Sequence, residues 1–147
     1  MGLLDAIEIG AGALNAHGKR MDVHTQNIAN VDTPNYVRKI PLLMAREDNS
    51  FEGLMNNMKE NVFAIGTIPY LSGGVNFNGV VGDPRPGELI YQPGHPDADK
   101  NGYIRASNVN PLTDIADAMS ASRAYEANLA LIAITKTMAQ SALDIGK

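Results

Sequence analysis

Residues 95–108, HPDADKNGYIRASN, set Asp97, Asp99, Asn101 and Gly102 in the order that opens a helix–loop–helix calcium loop, with Ile104 apolar at the eighth position. Oxygen donors at that alternation would wrap a hard cation, and the glycine would allow the sharp turn between them. The twelfth position is Asn108, where such a loop needs a bidentate Glu, and the flanks read as strands and turns. Asp and Asn ahead of glycine are also the usual turn formers. The segment is therefore expected to be a hairpin turn with Gly102 at positive φ.

The remaining chemistry-bearing residues do not assemble into a known arrangement. His17 and His24 share a helix face, but seven residues of helix separate them by about 10.5 Å, too far to share one ion, so they read as interface or surface histidines. His95, between Gly94 and Pro96, is a lone loop histidine. With no Cys there is no thiolate nucleophile, disulfide or Cys-ligated metal. Ser120 and Ser122 have no nominated base, and GxSxG, SxxK and HExxH are absent. The GAG at residues 10–12 follows no strand, so a dinucleotide loop is unsupported. No catalytic, cofactor-binding or metal-binding residue is expected.

What positions these residues must then be the interesting part. The chain has 147 residues, about one domain, and is 44% hydrophobic but only 5% aromatic, without Trp. That composition suits helix seams of Ala, Leu, Ile, Val and Met better than a large aromatic core. The net charge of −4 is spread along the chain with no basic patch. Neither nucleic acid nor direct lipid binding is expected, since both need clustered Lys or Arg. The start, MGLLDAIEIGAG, places Asp5 and Glu8 where a secretory signal needs a basic and then an apolar region. The chain is expected to be cytosolic or exported by another route.

An α+β architecture follows: long N- and C-terminal helices pair as a coiled-coil-like core around a β-rich insert. Residues 1–32 form the first helix, whose stripe repeats every seven residues through Leu4, Ala11, Gly18 and Thr25 and through Ile7, Leu14, Met21 and Ile28. Gly10, Gly12 and Gly18 each cost about 1 kcal/mol relative to Ala, so this helix is marginal alone. Residues 110–147 form the second, with Asn110 as N-cap, Pro111 at the first helical position, and Asp114 and Asp117 near the positive dipole end. Its stripe runs through Ile115, Ala118, Ser122, Tyr125, Leu129, Ile132, Lys136, Ala139 and Leu143.

Residues 33–109 form the extended junction and insert, holding seven of the eight prolines. Strands are expected at 74–82, 88–92 and 103–106, and SFEGLMNNMKENVF as a short helix or ordered loop. Narrow seams rich in small residues call for a partner helix. That partner is either the helix at the other terminus or a neighbouring subunit.

Three further stretches carry a resemblance. NIAN, a TP turn and Tyr36 follow the first helix. GVVGDPRPGELIYQPGHPDADKNGYIRASNVNP precedes the second, and SRAYEANLALIAITKTMAQSALDIGK lies within it. Together they resemble the flagellar rod and hook axial proteins, and within that family a proximal rod subunit. Residues 45–73 match no pattern, and Asn35 and Ser107 depart from the family's commoner choices.

The resemblance implies a non-enzymatic rod subunit that polymerises into the shaft transmitting motor torque across the periplasm. Its implied partners are copies of itself, other rod proteins, the inner-membrane ring with adjoining basal-body components, and the flagellar export apparatus. Export would need no cleavable signal. Asn27, Asn30, Thr33, Pro34, Tyr36, Arg123, Glu126 and Asn128 would be motif residues for assembly. TQNIANVDTPNYVRK would be the junction handing the core helix to the outer layer: Ile28 ends the seam, Asn30 or Asp32 accepts the turn, Pro34 restricts Thr33, and Tyr36 anchors a neighbouring surface.

Overall fold

The computed structural model describes residues 3–47 and 71–145, so the SFEGLMNNMKENVF stretch lies outside the described residues. In chain order the elements are α1 (Leu3–Ala29), β1 (Lys39–Glu47), β2 (Leu71–Gly82), β3 (Leu89–Tyr91), β4 (Tyr103–Arg105) and α2 (Pro111–Ile145). Among the described residues, no helix is long and apolar enough to cross a membrane.

Both helices start and stop for local reasons. The N–H of Thr113 donates to Asn110 Oδ1 at 3.2 Å and the N–H of Asp114 to the Asn110 carbonyl at 3.0 Å, so Asn110 is the N-cap. Asn110→Ala will destabilise the chain by about 1 kcal/mol. Thermal melting will show it as a loss of about 3 °C. α1 ends in successive turns, in which the N–H groups of Asn30, Val31, Thr33 and Tyr36 donate to carbonyls three residues back. Pro34 bars helix continuation, and Asn35 takes φ 61°.

The helices pack antiparallel. Asn27 and His24 meet Asp114, Arg20 lies 3.6 Å from Asp117, Gly18 faces Tyr125 and Gly10 faces Ile132. A Cβ on Gly10 would lie 2.8 Å from Ile132 Cγ1. The residue that weakens α1 locally is thus the one that lets α2 approach.

The opposite side of α1 carries a two-stranded antiparallel sheet of β1 and β2. Ile9 packs at Gly73 and Gly74, Gly12 lies near the Val75 carbonyl, and Lys19 Nζ sits 5.5 Å from the Phe77 ring centroid. The sequence reading missed β1, because Pro41 interrupts an otherwise strand-like run. In a two-stranded sheet every strand is an edge, where proline is tolerated. Pro41 pairs with Val80 next to a register shift. β3 and β4 form a second antiparallel pair, Leu89↔Arg105 to Tyr91↔Tyr103. Their close return depends on Gly87, where a Cβ would lie 1.8 Å from the Ala106 carbonyl oxygen.

The helices meet along the expected stripes only in part, where Gly18 faces Tyr125 and where Ile132 reaches Gly10. The buried apolar residues are small or few: Ala13, Ala16, Val23, Ile104, Val109 and Ala121. On α1, Ile7, Leu14, Met21 and Ile28 are half-buried, Ala11 is exposed, and Leu4 lies in the first turn. On α2, Ile132 is half-buried, while Ile115, Tyr125, Leu129 and Leu143 are exposed, from 36% at Tyr125 to 71% at Leu143. The cause is the row Asp114, Ala121, Asn128 and Thr135, one residue every seven, which takes the inward side of α2 with small or polar groups. Small residues there allow close approach and turn the large side chains outward.

Candidate functional site

Where the two helices and the junction converge, the chain buries charge. Asp114 is fully buried in the first turn of α2. Its Oδ1 accepts from His24 Nδ1 at 2.7 Å, Asn27 Nδ2 at 3.0 Å and the Arg38 guanidinium at 3.1 Å, and its Oδ2 accepts from Arg38 Nε at 2.8 Å. An ionised carboxylate has only acceptors, so His24 presents Nδ1–H to it. Burial by itself would raise the Asp114 pKa, but the bonds from Arg38, His24 and Asn27 outweigh it and hold the carboxyl below its ordinary range.

Asn27, also fully buried, is saturated. Its Nδ2 donates to Asp114 and to the Lys39 carbonyl at 2.8 Å, and its Oδ1 accepts from the Lys39 N–H at 2.9 Å and the Tyr36 hydroxyl at 3.1 Å. One amide therefore ties α1 to the start of β1, to the junction and to α2. Burial and the Asp114 charge raise the Tyr36 phenol above its ordinary pKa, which keeps the hydroxyl a donor.

Arg38 carries the network onward. Its N–H donates to Asn108 Oδ1 at 2.6 Å, its carbonyl accepts from the Asp83 N–H at 2.8 Å, and its guanidinium reaches toward Asp83 and Asp117. Asp83, hydrogen-bonded first by Arg85, is held at about 2. Asn108 Nδ2 donates to the Arg85 carbonyl at 2.6 Å, and the Asn35 N–H donates to the Arg105 carbonyl at 2.8 Å. The result is a polar clasp joining both terminal helices to the insert. The Asp114 carboxylate and the Asn27 amide are satisfied, whereas the buried His24 Nε2 has no hydrogen-bond partner. The bonds that are made fix a single geometry, and among the described residues no group of three or more His, Asp or Glu could hold a metal ion.

The motif residues named from the sequence divide between the clasp, the junction and the surface of α2. Asn27 and Tyr36 belong to the clasp, so the Tyr36 hydroxyl is spent within its own chain instead of on a neighbour. Asn30 Nδ2 closes back on the Gln26 carbonyl, Thr33 Oγ1 donates to Asn30 Oδ1, and Pro34 is half-buried beside them. Arg123 and Glu126 are exposed, and Asn128 Nδ2 bonds the Ala124 carbonyl within α2. Asp99 Oδ1 accepts from the N–H groups of Asn101 and Tyr103, and Gly102 has φ 79°, the geometry of a hairpin turn.

Sequence reasoning missed Asp114, Arg38, Asp83 and Asn108 as partners. Of its two alternatives for His24, interface or surface, the structure shows an interface between the two helices of the chain. A signal existed for Asp114, an acid on the same seven-residue row as Ala121 and Asn128. None existed for Arg38, which is 76 residues away from Asp114 in sequence.

His17 lies one heptad from His24, and its pKa is lowered by burial and then by the Arg20 charge. The unfolded chain binds that proton more readily. His17 therefore costs nothing above about pH 6.5 and weakens the fold progressively as pH falls below it. Denaturation of the native chain and of His17→Gln will show a shallower acid slope for the variant.

A family model described as Flagella basal body rod protein matches residues 7–36, and one described as Flagellar basal body rod FlgEFG protein C-terminal matches residues 100–145. The two spans hold the two helical sides of the clasp, Asn27 with His24 and Asp114. The flagellar basal-body rod protein FlgC of Bacillus subtilis is 34% identical, with 97% of each chain covered. Those of Salmonella typhimurium and Buchnera aphidicola are 32% identical over 100% of both chains. The chain belongs to the FlgC family of flagellar basal-body rod proteins. As an FlgC-family member it is a structural component of the basal-body rod, not an enzyme, and the basal body is its place of work. The clasp then has a structural meaning, since it fixes how the helix pair and the insert of a rod subunit are joined.

Proposed function

We propose that this chain polymerises with copies of itself and with other rod proteins into the shaft that transmits motor torque. The helix pair would form the inner layer and the β-rich insert the outer one, in a heterologous helical array. The observation that carries the reading is the two-sided character of α2. Its inward row is small and polar, while Leu112, Ile115, Met119, Leu129, Leu131, Ile134 and Met138 remain exposed. A helix apolar away from its own fold is a helix awaiting a second layer.

The partners in this reading are neighbouring rod subunits, the inner-membrane ring with adjoining components, and the flagellar export apparatus. The rod would span the periplasm, and the chain would travel without a cleavable signal. The seam residues Leu4, Ile7, Ala11, Leu14, Met21 and Ile28 on α1, and Ile115, Tyr125, Leu129, Ile132 and Leu143 on α2, would contribute to intersubunit packing. Cryo-electron microscopy of intact basal bodies tests it, the expected outcome being density for both helices in the rod's inner layer. Density for this chain outside the rod wall would overturn the proposal.

A further inference from the structure

Among the described residues Asn precedes Gly twice, at Asn78–Gly79 in β2 and at Asn101–Gly102 in the β3–β4 loop. The backbone nitrogen after an Asn can attack that Asn's carboxamide carbon, and glycine, lacking Cβ, hinders the approach least. The two sites differ in backbone setting, a hydrogen-bonded turn at one and a strand bulge at the other. The Gly102 N–H donates to the Asp99 carbonyl at 3.0 Å, and the Asp99 carboxylate accepts from the Asn101 and Tyr103 N–H groups at 2.8 and 2.9 Å. Attack there must break a turn bond and develop negative charge beside an anion.

Asn78 and Gly79 stand in a bulge. The register slips between Pro41↔Val80 and Leu43↔Phe77, so the two residues together oppose Leu42. Gly79 has φ 96°, and a Cβ there would meet nothing within 4 Å. Asn78 is exposed, and its amide donates to Met44 Sδ, a weak acceptor.

We infer that Asn78–Gly79 is a self-modification site. The Gly79 nitrogen bonds to Asn78 Cγ, the Cγ–Nδ2 bond breaks, and ammonia leaves carrying the proton lost by the Gly79 nitrogen. Solvent water then adds to either carbonyl of the five-membered imide and breaks one C–N bond, leaving aspartate or isoaspartate. No oxidation state changes, and water is the only co-reactant. The product carboxylate joins a cleft of about 470 Å³ between α1 and β2, lined also by Asn15, Lys19, Asn76 and Phe77. Lys19 is the cation of that cleft, so modification turns a singly positive lining into a balanced one.

The full native chain, held in warm, mildly alkaline buffer, is digested at intervals, and each Asn-Gly peptide is followed by mass spectrometry for exchange of NH2 by OH. Asn78 is expected to convert at least about fivefold faster than Asn101, equivalent to about 1 kcal/mol of barrier. In urea-unfolded chain the two rates converge. Asn78→Gln, which would have to close a six-membered ring, loses conversion at that position and leaves Asn101 unchanged. Equal or slower conversion at Asn78 in the folded chain overturns the inference, as does a rate ratio that persists after unfolding.

Discussion

Replacing Asp114 with Ala will destabilise the chain by about 3 kcal/mol, the low end for breaking a buried ion pair. The Arg38 guanidinium is left with only its looser contacts to Asp83 at 3.9 Å and Asp117 at 3.6 Å. Arg38 loses both of its bonds to the carboxylate, His24 and Asn27 each lose an acceptor, and nothing in the first turn of α2 replaces them. Denaturant titration reads the loss directly. Asp114→Asn keeps one acceptor oxygen but no charge, so it will fall between native and Ala. A double replacement, Asp114→Ala with Arg38→Met, will cost less than the sum of the single changes, because the cation that lost its closest partner is gone. Additive losses would mean that the two side chains do not act as a unit.

Two carboxylates of the same network set the acid limit of the fold. Asp114 is held below its ordinary carboxylate range and Asp83 is lowered from 3.8 to about 2. Groups with depressed folded pKa values contribute their stability above the unfolded value and lose it as pH falls through the folded one. Acid unfolding driven by these carboxylates therefore begins below about pH 4. Asp114→Asn will flatten that limb and leave the His17 slope above it in place.

Local chemistry was legible in the sequence wherever one short stretch decides it. The Asn110 cap with Pro111 behind it, the Gly102 turn, and the stop of α1 before Pro34 each rest on two to four adjacent residues. Strand β1 was hidden by Pro41, whose effect depends on the strand being an edge, a property of the sheet and not of the run. The inward face of each helix was read only in part, at Gly18, Tyr125 and Ile132, for a related reason. Large apolar periodicity marks a face that will be covered, but it does not say by which molecule. Here the covered face within the chain is marked by alanine, Gly10 and an acid, because close approach and a satisfied carboxylate hold the pair together. His24, Asn27 and Asp114 look ordinary one at a time; only the antiparallel packing brings them within 3.0 Å.

That division between an inward polar row and an outward apolar one makes a sharp expectation for Leu129→Asp and Ile134→Asp. Leu129 is 53% exposed and Ile134 62% exposed, and neither faces the clasp. Exposed substitutions away from special contacts change stability by only about 0.5 kcal/mol, so the free chain will melt nearly as before. In an assembled rod the same positions would be covered. Losing an apolar side chain worth about 1.5–3 kcal/mol when buried, and placing a carboxylate there instead, removes at least about 3 kcal/mol per contact. That is a hundredfold or more in association constant. The double variant is expected to keep its fold, fail to enter basal bodies and fail to restore swimming to cells lacking the native chain. Asp114→Ala gives the opposite order of effects, losing stability first and assembly as its consequence. If the outward pair proved to destabilise the free chain as much as Asp114→Ala, α2 would be using that face within its own fold, and the rod contact would have to lie elsewhere.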